Sequence, residues 1–524
     1  MNRGSRLIPS EQTRRQFIFS GAALASLPWL GVNIAQAVTA KARFSNDPFQ
    51  LGVASGDPWP TGAVIWTRLA PEPLAGGGMP PEIYEVEWEV ADDEGMTKIV
   101  RSGKEYATPA LAHSIHVEVK GLEPDRWYWY RFRVGDAESP IGRLRTMPTR
   151  DTLAQRLRFA FASCQHYEHG LYTAYEHMAQ EDLDLIFHLG DYIYEYGATA
   201  NKVRKHNSPE IVSLDDYRNR YALYKTDEHL QAAHRLCPWL VVWDDHEVEN
   251  NHAGAHSEDL FVSPEEFLLR RANAYQAYYE HMPLRRRSMP RGPFMQIYRT
   301  ISFGRLAEFQ MLDTRQYRTD QPNGDGYKPL KGGALDPKGT ILGNKQEHWL
   351  MSSLIQSPAQ WNVLAQQVLM AVANRNTAKE PLYSMDKWTG YEVARARLMD
   401  FIATRKILNP VVITGDIHAN WVNDLKVHFN REDEPTVATE FVGTSISSGG
   451  NGSRSLENEE KLKSLNPFVK FHSAERGYVS CTVTPEQWQA NYQAVEYIDR
   501  PGAPLVTRKA FVVESGQPGA NELG

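Results

Sequence analysis

At 524 residues with 42% hydrophobic side chains, the chain can bury a large core and divide into more than one domain. Its formal net charge of −7 offers no basic footprint, so no specific nucleic-acid partner is expected. Three cysteines are too few for a disulfide scaffold, and the odd count leaves at least one thiol unpaired.

The first residues read as an address. Thr13-Arg14-Arg15-Gln16-Phe17-Ile18 precedes a moderately apolar stretch from Phe19 to about Ile34, and Ala35-Gln36-Ala37 supplies a small-residue cleavage pattern. Residues 1–37 are therefore expected to be a twin-arginine signal peptide, with the twin-arginine translocase as a transient partner. The stretch is rich in Ala, Gly and Ser and contains Pro28, which makes it a poor transmembrane anchor. Such substrates cross the membrane folded, so a metal can be loaded before export. The mature protein is expected in the periplasm or outside the cell.

Residues 38–148 form the next expected domain. Gly62–Arg68 is rich in β-branched and aromatic residues. Tyr84–Val90, His116–Lys120 and Trp127–Val134 alternate apolar with polar positions, and Gly, Pro and Asp turns divide them. Closely spaced strands of period two predict a β-sandwich, and Leu122-Glu123-Pro124 leading into Tyr128-Trp129-Tyr130 resembles the end of a fibronectin type III-like sandwich. Thr146–Thr149 reads as the linker.

From residue 149 to 524 the pattern predicts an α/β domain. Buried strands are expected at Leu157–Ala162, Leu183–Leu189, Trp239–Trp243, Phe309–Leu312, Trp361–Ala365, Val411–Thr414 and Phe441–Gly443. One helix opens at Ser263-Pro264-Glu265-Glu266, which combines an N-cap, a first-position proline and a capping glutamate, and it runs to about Tyr279. Others span about Lys345 to Ile355 and Tyr391 to Thr404. Residues 449–466 read as an exposed mobile loop. Cys237 and Cys481 read as buried rather than paired.

Four strand ends carry donor-rich clusters: Ser163-Cys164-Gln165-His166, Gly190-Asp191-Tyr192-Ile193-Tyr194, Trp243-Asp244-Asp245-His246-Glu247 and Gly415-Asp416-Ile417-His418. In open α/β sheets ligands gather beyond the carboxyl ends of the strands. A lone aspartate after a strand is usually a turn former or helix cap. Four strand ends each bearing a donor point to a metal site.

Asp191 and Tyr194 are three apart, so one turn can aim both at a single ion, and Asp416 and His418 are two apart on an extended segment. With Cys164 they supply carboxylate, phenolate, imidazole and thiolate. Phenolate suits Fe(III), while thiolate keeps Zn(II) open. Asp191 is also able to bridge to a second ion. Asp245 and Asn250 offer oxygen donors suited to Ca(II), or to Mn or Mg, with Asp244, Glu247, Glu249 and Asn251 as rival donors.

These residues resemble the PhoD-like alkaline phosphatases, a family that includes a phospholipase D. The resemblance rests on Ala162–Gln165, His188–Tyr196, Val242–Asn251, Leu312–Arg318 and Thr414–Trp421, together with Leu51–Asp57 and the leader. It is similar, more distantly, to purple acid phosphatases, which share Asp-x-x-Tyr but use an aspartate where Cys164 stands. The resemblance implies a metallophosphatase core of two packed sheets flanked by helices, binding Fe(III) and Ca(II). It implies an iron site of Cys164, Asp191, Tyr194, Asp416 and His418, with Asp191 shared with a calcium completed from Asp245–Asn250.

The expected function is an exported, metal-dependent alkaline phosphatase that hydrolyses phosphate monoesters and diesters by attack of a metal-bound hydroxide. Cations must dominate the field of such a carboxylate-rich site, or it would repel a phosphate dianion. Asp245 and His246 stand nearest the chemistry, His246 either donating a proton or hydrogen-bonding phosphate, with structural support as the alternative. Arg315 reads as a structural ion pair before it reads as a phosphate ligand. The rival readings are a phospholipase D-type phosphodiesterase acting on phospholipids and a non-catalytic surface-binding protein.

Overall fold

The computed structural model describes residues 43–376, 380–431 and 433–523. The leader and its cleavage pattern lie outside the described residues. Strands between Val53 and Arg145 form two layers. Val53–Trp59, Gly62–Arg68 and Ser114–Lys120 pair antiparallel, and Tyr84–Ala91, Ile99–Ala107, Trp127–Val134, Ala137–Glu138 and Gly142–Arg145 make a five-stranded sheet opposite. Period-two alternation is the cause. Along Trp127–Val134, Tyr128, Tyr130, Phe132 and Val134 are buried, and they meet Ile65, Val117 and Val119 of the other layer in one apolar cluster. Removing such aromatic and branched side chains from water stabilises each by about 1.5–3 kcal/mol.

The first layer is continuous with the larger unit, because Gly56 bridges in parallel to Trp239. There, Leu157–Ala162, Leu185–Leu189 and Trp239–Val242 run parallel in adjacent positions. A second run of parallel neighbours comprises Ala307–Met311, Trp361–Ala365, Pro410–Thr414 and Ala438–Val442. The long strand Val469–Val483 pairs with Asn420–Leu425 at one end and Leu157–Ala162 at the other, which ties the two runs together. Phe159, Phe187 and Phe309, one from each of three of these strands, pack together between the runs with ring centroids 4.6–5.5 Å apart.

Every strand expected after residue 155 is present, with ends shifted by up to three residues, and further strands at Gln487–Val495, Leu505–Glu514 and Gln517–Glu522 complete a meander. The three expected helices lie at Pro264–His281, Gly343–Gln356 and Glu392–Thr404. The first has the full capping box, Ser263 accepting from the Glu266 amide while Glu266 reaches back. Residues 449–466 are a correction, since Leu456–Leu465 is helical. Ser455 caps it, Glu459 pairs with Lys463 one turn on, and Leu462 packs against the core. Its abundant charge hid the leucine spacing. Cys164, Cys237 and Cys481 are all buried and free. Among the described residues no helix is long and apolar enough to cross a membrane.

Helix Leu214–Lys225 ends on a buried lysine. Lys225 Nζ lies 4.3 Å from the Trp66 ring centroid and has no ion-pair partner among the described residues; burial pushes it down to about 7. Between there and its ordinary value of 10.5 the unfolded chain holds a proton that the folded chain lacks. Stability from this group is therefore complete above the upper value and lost as pH falls to the lower one, with a slope of at most about 1.4 kcal/mol per pH unit. Urea unfolding of Lys225→Met should show a gain over the wild type that is largest at pH 7 and shrinks towards pH 10. A gain that does not vary with pH would contradict the assignment.

Candidate metal centre

Each donor cluster stands where a parallel strand stops. Cys164, Asp191, Asp416 and His418 all have left-handed backbone, with φ of 59°, 57°, 65° and 53°. Non-glycine residues pay roughly 1–2 kcal/mol for this conformation, and its recurrence at four such positions marks a functional edge. The Cys164 amide donates to Gly190 O at 3.1 Å and the Gln165 amide to Asp191 O at 3.0 Å, which stitches two of the turns together. Gly190 has φ +107°, and a Cβ there would lie 2.4 Å from Asp244 Cβ. Glycine lets the Asp191 and Asp244 turns touch.

Donor atoms of Cys164, Asp191 and His418 lie within 4.8 Å of one another. The Tyr194 hydroxyl joins them, 3.0 Å from Asp191 Oδ2 and 3.3 Å from His418 Nε2. Asp191 also belongs to a second group with Asp245 and His246, and a third group holds Asp244, Asp245 and Asp416. Asp416 thus sits beside the expected iron donors, in contact with Lys387 and 3.9 Å from Arg315. Asn250 is turned away. Its amide donates to Glu195 Oε1 at 2.8 Å and its side chain hydrogen-bonds Glu258.

The rival donors separate clearly. Glu247 accepts from the amides of Asp191, Tyr192 and Asp244 at 3.0, 2.6 and 2.8 Å, so it organises backbone. Glu249 is taken by Arg270 at 2.8 Å, and Asn251 by Asp325. Of the four rivals, Asp244 stays in the donor cluster. His246 Nδ1 is 2.8 Å from Glu195 Oε2. Glu195, Asp386, Lys387, Arg476 and Ser448, whose hydroxyl lies 2.7 Å from that of Tyr194, escaped sequence reading. Glu195 directly follows Tyr194, whereas Asp386, Lys387 and Ser448 lie in loops and Arg476 within strand Val469–Val483, away from the donor-bearing strand ends.

Burial drives the electrostatics. It pushes Asp191 well above the usual carboxylate range, with Asp245, Asp244 and Glu247 adding to the effect and His246 opposing it. Burial raises Asp244 to about 8, against the pull of Arg315, and raises Asp416 against Lys387 and Arg315. Cys164 and Tyr194 are pushed up by burial and by the Asp191 charge, while burial and Arg476 lower His418 to about 3. Burial opposes ionisation of Asp245 too, but Arg315 and His246 overcome it and hold this carboxyl low. In His246 burial is overcome by Glu195, Asp245 and Asp191, which raise it.

A metal fits this set on two grounds. Asp191 Oδ1 is buried and has no hydrogen-bond partner, and thiol, phenol, carboxylate and imidazole converge on one edge where a cation would favour the ionised Asp191, Cys164 and Tyr194 and the neutral His418.

Residues 159–492 match the model of the PhoD-like phosphatase and residues 34–148 that of the PhoD-like phosphatase N-terminal domain. Alkaline phosphatase D of Bacillus subtilis strain 168 is 52% identical over 520 residues, covering 97% of this chain and 89% of that protein. The chain belongs to the PhoD-like phosphatase family. A solved structure described as the structure of PhoD matches with a TM-score of 0.90 at 52% identity, covering 92% of this chain and 93% of that one.

In this phosphatase Arg315 is wholly buried, its Nε on Asp244 and its other two nitrogens 2.7 and 3.0 Å from Asp386. Arg315→Met leaves buried Asp244 without its paired cation, while Asp386 keeps Arg318 and Lys387, and breaking such a buried pair costs about 3–5 kcal/mol. Urea unfolding of chelator-treated protein should show that loss. A change below about 1 kcal/mol would contradict a structural ion pair and return Arg315 to the phosphate-ligand reading.

Proposed function

We propose that this chain is an exported phosphoric ester hydrolase acting on phosphate monoesters and diesters through an iron(III) and calcium(II) site. The observation that carries the reading is the convergence of Cys164, Tyr194, Asp191 and His418 at one strand edge, continuous through Asp191 with the Asp245 and His246 group. Cys164, Asp191, Tyr194, His418 and Asp416 would hold the trivalent ion, since thiolate and phenolate make an anionic donor set. Asp191 with Asp245 would hold the divalent ion, and Asn250 belongs to that set only if its side chain leaves Glu258. Zn, Mn and Mg are the alternatives. When bound, the cations supply positive charge for the phosphoryl oxygens and make water acidic enough to serve as nucleophile near neutral pH.

The chain's own residues do the remaining work. Glu195 fixes the His246 ring through Nδ1, which leaves the other ring nitrogen to carry a proton. That nitrogen donates to the leaving oxygen, and the Glu195 charge keeps the imidazole protonated for the task. Lys387 lies against Asp416 and, at 3.2 Å, Asp386, so it neutralises part of the edge and favours an anionic substrate. The twin-arginine leader supports export to the periplasm or beyond. Residues 38–148 are read as a sandwich that buttresses a catalytic unit from 149 to 524.

Rates on an aryl phosphate, its diester and phosphatidylcholine test the substrate class. The two soluble esters should be turned over fastest, and lipid turnover exceeding both would overturn the ordering in favour of a phospholipase. His246 is tested by leaving-group dependence. His246→Asn should lower kcat by roughly 100-fold on an alkyl phosphate and far less on a nitrophenyl phosphate, whose leaving group needs no proton. Equal losses on both would reduce His246 to a supporting role.

A further inference from the structure

Away from the donor edge a cavity of about 360 Å³ opens between the residue-150 linker, the segment after helix Pro264–His281, strand Arg299–Phe303 and helix Gly343–Gln356. It shares no lining residue with the donor groups. Its wall contains Arg150, Arg287 and Arg299 and not one carboxylate, on a chain whose net charge is −7. Three arginines line one hollow with no acid in its wall, so their grouping needs a reason.

Only one of the three is neutralised. Arg299, 5% exposed, pairs with Asp57 at 2.7 Å and donates to Val241 O and Ile297 O, and its Nη2 has no partner. Arg150 and Arg287 are exposed and make no ion pair or side-chain hydrogen bond among the described residues. Of the nearby acids, Asp151 accepts from the Thr149 hydroxyl and Glu118 from the Arg286 amide. The remaining wall is aromatic. Trp349 is part-exposed, and its ring centroid is 4.9 Å from that of Tyr298, which fixes the indole in place. Free arginines beside an immobilised indole offer charge-assisted hydrogen bonds to an oxyanion and a flat face for what it is attached to. The volume lies within the range of small-molecule sites.

We propose that this cavity is a second anion site that takes a phosphate-bearing organic anion, with Arg150 and Arg287 on the phosphate and Trp349 beside the organic group. The site would hold substrate or product analogues of the kind the donor edge is read to act on, while standing independently of that edge.

Equilibrium dialysis of the metal-loaded protein with phenylphosphonate tests this, because its carbon–phosphorus bond is not a hydrolysable ester. The Arg150→Ala/Arg287→Ala double variant should bind one equivalent fewer than the wild type, or bind it at least tenfold more weakly. Its kcat on a saturating aryl phosphate should be unchanged, which also shows that it folds. Asp191→Asn should retain the equivalent that the double variant loses. Inorganic phosphate should bind there more weakly than phenylphosphonate, and Trp349→Leu should erase that difference. Unchanged stoichiometry and affinity in the double variant, or loss of all binding in Asp191→Asn, would overturn the site. Equal affinity for phosphate and phenylphosphonate would overturn the role of Trp349.

Discussion

Five carboxyl groups, those of Asp191, Asp244, Asp245, Glu247 and Asp416, are gathered at the ends of parallel strands with little access to water. Burying one carboxylate is costly, and burying several side by side multiplies the cost by repulsion. The surrounding protein is arranged to meet this demand. Arg315 lies against Asp244 and Asp386, Lys387 against Asp416, and Glu247 is satisfied by three backbone amides. Asp191 pairs with no lysine or arginine among the described residues, sharing only His246 with Asp245 and Glu195, and it is the group common to the two donor sets. A metal is the simplest source of the missing positive charge.

The fold makes the gathering possible through backbone as much as side chains. Left-handed residues end the strands at Cys164, Asp191 and Asp416, turning each donor over the sheet edge. The strain is held by hydrogen bonds between neighbouring turns and by close packing at Gly190 and Gly415, where a Cβ would meet Asp244 and Ser163 at 2.4 and 2.6 Å. The sandwich layer reaches the same region from behind. Asp57, on its first strand, pairs with Arg299, which in turn holds Val241 just before the Asp244 turn.

Much of this was legible in the residues. Period-two alternation gave the sandwich layers, short apolar runs gave the parallel strands, and a donor directly after a strand gave Cys164, Asp191, Asp245 and Asp416. What stayed hidden has a common cause. Lys387, Asp386 and Ser448 act from loops and Arg476 from the middle of strand Val469–Val483, all brought in by tertiary packing that no local spacing announces. Asn250 and Asp245 read alike as oxygen donors, yet one side chain turns to Glu258 and the other to the cluster, a choice made by the local turn. The Leu456–Leu465 helix was masked because its polar face outweighs its three leucines.

Cations must balance the carboxylate edge, and the proposed donor set makes one of them a trivalent ion held by thiolate and phenolate. Elemental analysis with a visible spectrum, on protein purified without chelator, tests this most directly. Iron together with calcium, and an absorption band that changes in Tyr194→Phe and Cys164→Ala, is the predicted result. A colourless protein containing zinc and no iron would contradict it.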